Sequence, residues 1–167
     1  DSHSPLDARV RELAGLIEIR DLLSAPAMKQ AIERMAAEIQ RDFSAGGGPL
    51  VLAGIRTGGV FLAERLKKTI EGNENCAVEL GILDITLYRD DVFEGLPRPE
   101  VGPTDLPAQL EGRALVLVDD VLFTGRTIRS ALVELMDYGR PESVRLAVLV
   151  DRGHRELPIQ ADYVGLK

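Results

Sequence analysis

The residues best suited to chemistry stand in one short stretch: the pair Asp119-Asp120 and, just beyond it, Thr124-Gly125-Arg126-Thr127. Two adjacent carboxylates repel each other if they are buried without partners. The pair is therefore expected at an exposed strand end, facing water, hydroxyls or a cation. Gly125 lets the backbone turn tightly and approach a ligand. A helix starting at this point would present N–H groups and a partial positive charge, a ready anion site. Thr124 and Thr127 add hydroxyl donors. Acceptors for sugar hydroxyls thus stand beside donors for a phosphate, as a phosphorylated ribose requires. The stretch lacks the Gly-Lys-Ser/Thr ending of a nucleotide P-loop, which argues against an ATPase. A lone Asp-Asp would read better as a solvated pair on a core strand; the whole run favours the functional reading.

Two elements must hold this stretch in place. Ala114 to Val118 is a short run rich in Val and Leu, which suits a strand covered on both faces. A helix from about Gly125 to Tyr138 carries Ile128, Ala131, Leu132 and Leu135 as its apolar stripe, and Gly139-Arg140-Pro141 ends it. The same design recurs upstream. Leu50 to Ile55 reads as a buried strand, Arg56-Thr57-Gly58-Gly59 as a polar turn, and Val60 to Ile70 as a helix. Alone, that turn reads equally well as an ordinary strand–helix connection. Beside the central stretch, a second anion site for pyrophosphate is the better reading, with Arg56 as the cation and the turn as a source of N–H groups. A third polar turn, Asp151-Arg152-Gly153-His154-Arg155-Glu156, follows a strand from Ser143 to Val150. His154 reads by default as a solvated loop residue.

The remaining segments complete an α/β order. A helix is expected from about Ala25 to Phe43, with Ser24 as N-cap and Pro26 in the first turn. Gly46-Gly47-Gly48-Pro49 is a break, and Cys76 to Tyr88 reads as one long strand region. Arg89 to about Pro107 lacks periodicity and is long for a passive connection, so it reads as a candidate mobile lid. The sum is a mostly parallel sheet with helices on both faces, formed by residues 25–167 after an N-terminal extension, 1–24. All three polar turns would lie along one edge of that sheet.

Composition narrows the partners. The chain has 167 residues, 45% hydrophobic, and a net charge of −7. That is enough for one domain with a real core, and too acidic for a general nucleic-acid binder. The single cysteine, Cys76, excludes an internal disulfide and suits a reducing cytoplasm. No apolar run is long enough to span a membrane.

The central run resembles the phosphoribosyl pyrophosphate (PRPP) motif of type I phosphoribosyltransferases. Leu83 to Asp91, Val116 to Thr127, Tyr138 to Pro141 and, above all, Asp151-Arg152-Gly153-His154-Arg155-Glu156-Leu157-Pro158 look like the PyrR family of pyrimidine-operon attenuators and uracil phosphoribosyltransferases. The likeness runs from about Ala27 to Gly165. It implies the reaction of uracil with PRPP to give UMP and pyrophosphate, with Mg²⁺ carried mainly by PRPP near Asp119 and Asp120. By position, Asp119 and Asp120 would hold the ribose hydroxyls, and Thr124, Gly125, Arg126 and Thr127 would wrap the 5′-phosphate. Arg56, Thr57 and Gly58 would contact pyrophosphate, Tyr88 and Arg89 would open the lid, and Arg89 would also serve catalysis. Asp151, Arg152, His154 and Ile159 would lie beside the base.

The resemblance further implies a homodimer or larger homo-oligomer and an operon leader RNA as partner. The sequence departs from the family at Gly58, where many members have Arg. It departs again at Glu33-Arg34-Met35-Ala36-Ala37, where RNA-binding members have Thr-Arg-Ile-Ala-His, and in ending at Lys167, short of the usual C-terminal strand region. Two neighbouring readings are a UMP-sensing RNA regulator with little catalysis and a phosphoribosyltransferase for another base.

Overall fold

In a computed structural model of the chain, the residues described are 24–43, 49–72, 77–85 and 104–167. They form five strands, β1 (Leu50–Ile55), β2 (Val78–Leu83), β3 (Ala114–Leu122), β4 (Ser143–Asp151) and β5 (Tyr163–Leu166). Three helices accompany them: α1 (Ala25–Phe43), α2 (Gly58–Gly72) and α3 (Arg126–Met136). The strands make one sheet in the order β2-β1-β3-β4-β5, and every pairing is parallel. Parallel strands need both faces covered, because their connecting helices must pack back on the sheet. Here α1 and α2 cover one face through Ile32, Met35, Ile39, Leu62, Leu66 and Ile70. The other face is closed by α3, through Ile128, Ala131 and Leu135, together with Leu110.

The topology fixes where a ligand can bind. From β1 the chain crosses to β2 on one side; the following strand, β3, lies on the other side of β1. Such a reversal opens a crevice at the carboxyl ends of the two diverging strands. The turns after β1 and β3 flank that crevice, and the turn after β4 is next to it.

Three boundaries differ from the sequence expectation. Of the strand expected over Cys76–Tyr88, Val78–Leu83 is strand and Ala77, Asp84 and Ile85 are not, while Cys76 and Thr86 to Tyr88 lie outside the described residues. The strand's partner ends at the Ile55–Leu83 pair, and beyond that point β1 has turned away. Conversely, β3 runs through Asp119 and Asp120 to Leu122, because β4 pairs with it as far as Asp151. The strand Tyr163–Leu166, an element not assigned from the sequence, forms against β4. It is tied to α1 by Arg34, which donates to the carbonyls of Val164 and Gly165. Asp42 accepts the Tyr163 hydroxyl (2.6 Å) and Arg145 Nη1 (3.1 Å). Burial and that bond push the Tyr163 phenol up to about 12. No helix among the described residues is long and apolar enough to cross a membrane.

Candidate active site

The carboxylate pair is not a matched pair of exposed acids. Asp119 is buried, at 7% exposure, and its Oδ1 accepts the N–H of Asp120 (2.8 Å). Asp120 is half-buried, and its Oδ1 accepts the N–H of Val121 (2.8 Å). The expectation of two water-facing carboxylates is therefore corrected for Asp119. The cause is the length of β3, which carries the pair inside the ladder rather than beyond it. Alternation along the strand sends the two side chains in opposite directions.

The turn after β1 approaches Asp120 closely. A Cβ on Gly58 would overlap Asp120 Oδ2 and lie 2.6 Å from its Cγ. A Cβ on Gly59 would overlap the carbonyl oxygen of Val118. Both glycines are thus required by contact rather than by a left-handed conformation. The Arg56–Thr57 peptide is cis. Arg56 Nε stands 3.7 Å from Asp84 Oδ2, at the far end of β2, and the arginine remains partly exposed. Arg56 and Asp120 thus stand at the carboxyl ends of neighbouring strands, with the arginine paired toward β2 and the carboxylate against Gly58.

The turn after β3 leads directly into α3. Gly125 has φ 93° and caps α3 with no side-chain hydrogen bond. Thr124 Oγ1 accepts the N–H of Arg126 (3.3 Å), and Thr127 lies exposed in the first turn of the helix. The Arg126 side chain points sideways and pairs with Glu156 (3.0 Å). The residues expected near a base lie close by. Asp151 ends β4 and pairs with Arg155 (2.7 Å), a bond that holds its carboxyl below the usual aspartate range. Arg152 lies over the Phe123 ring at 5.3 Å, and His154 meets the same ring edge-on at 5.8 Å. His154 is exposed with φ 59°. Ile159 packs beneath the turn after β3, 3.4 Å from where a Cβ on Gly125 would stand.

The structure thus gathers Asp119, Asp120, Arg56, Thr57, Gly58, Thr124 to Thr127, Asp151, Arg152, His154 and Ile159 along one sheet edge. Tyr88 and Arg89 lie outside the described residues. Sequence reasoning gave no site role to Phe123, Asp84 or Glu134, and placed Gly59 in the polar turn without its contact to β3. Phe123 carries a local signal, being an aromatic residue immediately before Thr124-Gly125 and 44% exposed. Glu134 carries none.

Glu134 is buried, at 6% exposure, on α3. Its Oε1 accepts the Thr104 hydroxyl (2.7 Å), while Oε2 has no hydrogen-bond partner among the described residues. Thr104 Oγ1 in turn accepts the N–H of Asp84 (3.0 Å). Desolvation, opposed by the Thr104 bond and reinforced by Asp84 and Asp137, raises the Glu134 carboxyl above its ordinary value. An acid of this kind binds its proton more readily folded than unfolded. Its contribution is complete below the unfolded pKa and is lost as pH rises through the folded one. Glu134→Gln removes that titration. Thermal unfolding followed from the acidic to the neutral range should show the variant gaining stability relative to wild type as pH rises; parallel curves would sink the assignment.

The fold and its three turns define a phosphoribosyltransferase: the family model "Phosphoribosyl transferase domain" matches residues 18–167. A hypoxanthine phosphoribosyltransferase from Staphylococcus aureus has the same fold, with a TM-score of 0.67 at 27% identity, covering 87% of this chain and 76% of that one. One from Trypanosoma cruzi superposes with a TM-score of 0.69 at 24% identity, covering 84% and 76%. Curated relatives are much nearer in sequence. "Bifunctional protein PyrR" of Geobacter sp. (strain M21) is 54% identical over 144 residues, 86% of this chain and 81% of that protein. The protein of that name from Thermus aquaticus is 54% identical over 145 residues, 87% and 80%. The Enterococcus faecalis (strain V583) one is 50% identical over 146 residues, 87% and 81%. The chain belongs to the PyrR family.

Proposed function

We propose that this protein transfers the phosphoribosyl group of PRPP to uracil, giving UMP and pyrophosphate, and that it also acts as a uridine-nucleotide-responsive attenuator of pyrimidine biosynthesis genes. The observation that carries the catalytic half is the meeting of an acid and a helix N-terminus at one sheet edge: Asp120 lies against Gly58, in the turn that also carries Arg56, and Gly125 opens α3. The catalytic unit is residues 25–167, with 1–24 an extension. A cytoplasmic location and a homodimeric or larger assembly go with the reading.

The residues suit a displacement at the anomeric carbon. The ribose gains positive charge as the bond to pyrophosphate breaks, and carboxylates at the sugar favour that charge. Asp120 takes a ribose hydroxyl, while Asp119, buried in the ladder, holds the Asp120 backbone through its Oδ1. The N–H groups at the start of α3, with the Thr124 and Thr127 hydroxyls, seat the 5′-phosphate. Arg56 and the Thr57-Gly58 backbone receive the departing pyrophosphate, whose negative charge grows as it leaves. The Asp151–His154 segment and Ile159 border the base. No side-chain nucleophile is needed.

Mg²⁺ fits as a cation that arrives with its substrate. Among the described residues no group of three His, Cys, Asp or Glu could cage a metal. Mg²⁺ commonly keeps few protein ligands and relies on phosphate oxygens and water. Asp120 would stand nearest, and the ion would neutralise charge on the pyrophosphate.

The test is a panel of uracil, hypoxanthine and orotate, each with PRPP and Mg²⁺, followed by pyrophosphate release. Only uracil should react, and chelation of Mg²⁺ should abolish release. Turnover of hypoxanthine or orotate in its place would overturn the substrate. In the same preparation, a labelled leader hairpin should bind more tightly with UMP present; indifference to UMP would remove the attenuator half. Glu33 and Ala37 are exposed on α1, where RNA-binding members carry Thr and His.

A further inference from the structure

One side chain joins the phosphate turn to the base-side loop. Arg155 Nε donates to the carbonyl of Ile159 (2.7 Å). Its Nη1 donates to the carbonyl of Phe123 (2.8 Å) and, more weakly, to that of Gly153 (3.3 Å). Its Nη2 donates to Asp151 Oδ2 (2.7 Å). Phe123 is the last residue before the phosphate turn, Asp151 ends β4, and Gly153 and Ile159 lie on the loop that borders the base. The Arg155 side chain is only 22% exposed, so these bonds are less screened than those of a surface ion pair. Neighbouring contacts run the same way. The N–H groups of Glu156 and Leu157 both donate to the carbonyl of Thr124 (2.9 and 3.2 Å).

We propose that Arg155 is the positioning residue that fixes the separation between the phosphate seat and the base seat. It acts through the carbonyls of Phe123, Gly153 and Ile159. The inference rests on the phosphoribosyl-transfer reading of the site. The 5′-phosphate and the base lie at opposite ends of the nucleotide being made. The frame between their seats therefore sets how the base meets the anomeric carbon. A misplacement of about 1 Å in such a frame can cost about 10²-fold in rate. Lysine cannot substitute, because one ammonium cannot serve acceptors spread around a planar fork.

The experiment compares wild type, Arg155→Ala and Arg155→Lys. It uses steady-state kinetics with uracil and PRPP, with and without millimolar guanidinium, together with thermal unfolding and amide hydrogen exchange. Both variants should lose about 10²-fold in kcat, with a much smaller change in KM for PRPP. Guanidinium should restore much of kcat to Arg155→Ala and none to Arg155→Lys. The Glu156 and Leu157 amides should exchange faster in both variants. If Arg155→Ala does not fold, the Lys variant carries the kinetic reading. Wild-type kcat in either folded variant overturns the proposal, as does a deficit in Arg155→Ala that guanidinium leaves unchanged. If wild type itself does not use uracil, the substrate reading fails instead. Unchanged exchange at Glu156 and Leu157 would then overturn the positioning role separately.

Discussion

Asp120→Asn should lower the rate of UMP formation by about 10²- to 10³-fold, the usual loss when one preorganised charge facing a transition state is removed. The melting temperature should stay near that of wild type. The substitution keeps the shape and an Oδ1, so the bond from the Val121 N–H survives. What goes is the negative charge beside the sugar, at the point where Gly58 packs on Oδ2. The carboxylate matters more in the transition state than in the ground state, because positive charge on the ribose develops only as pyrophosphate departs. The loss should therefore fall on kcat more than on KM for PRPP. Steady-state kinetics beside a thermal melt separate the two effects. A folded variant within a factor of about two of wild-type kcat, far below that loss, would remove Asp120 from the catalytic assignment.

Gly59→Ala should damage both fold and turnover. The new Cβ would overlap the Val118 carbonyl oxygen and lie 3.0 Å from Val118 C and 3.1 Å from Asp119 Cα. All three atoms belong to the main chain of the central strand, so no side chain can rotate away. Overpacking of this kind costs about 1–3 kcal/mol, and a clash with backbone belongs at the upper end. In a chain of this size about 3 kcal/mol corresponds to a fall of roughly 6–12 °C in melting temperature. The relief available is a shift of α2 and its turn away from β3. That shift draws Gly58 off Asp120, so activity per folded molecule should fall as well. Gly72→Ala is the control, since a Cβ there meets nothing within 4 Å. An unchanged melt for Gly59→Ala would mean that the close approach of helix and strand does not exist in solution.

The carboxylate pair shows how far local reading reaches. That Asp119 and Asp120 end a buried hydrophobic run beside a glycine turn is visible in one short window, and so is the left-handed role of Gly125. Their unequal burial is not, because it depends on β4 pairing with β3 as far as Asp151. The turn after β1 repeats the point. Arg56-Thr57-Gly58-Gly59 is recognisable as a polar connection, but neither glycine has positive φ, and each is demanded by an atom of β3 more than fifty positions away. Glu134 looks like a solvated helix position flanking the apolar stripe. It is buried because Thr104 and Asp84 come to it from the other end of the sheet.

By itself the sequence determined the alternation of strands and helices, the donors and acceptors available, and the family. These follow from nearest neighbours, periodicity and motif, which a linear chain displays. The tertiary structure alone decided which acid is buried, which glycines are contacts, where β2 stops, that Tyr163–Leu166 is a strand, and that Arg155 spans thirty-two positions to reach Phe123. Each of those rests on an atom brought close only when the strands align, and a pairwise contact across the sheet leaves no imprint on the residues beside either partner.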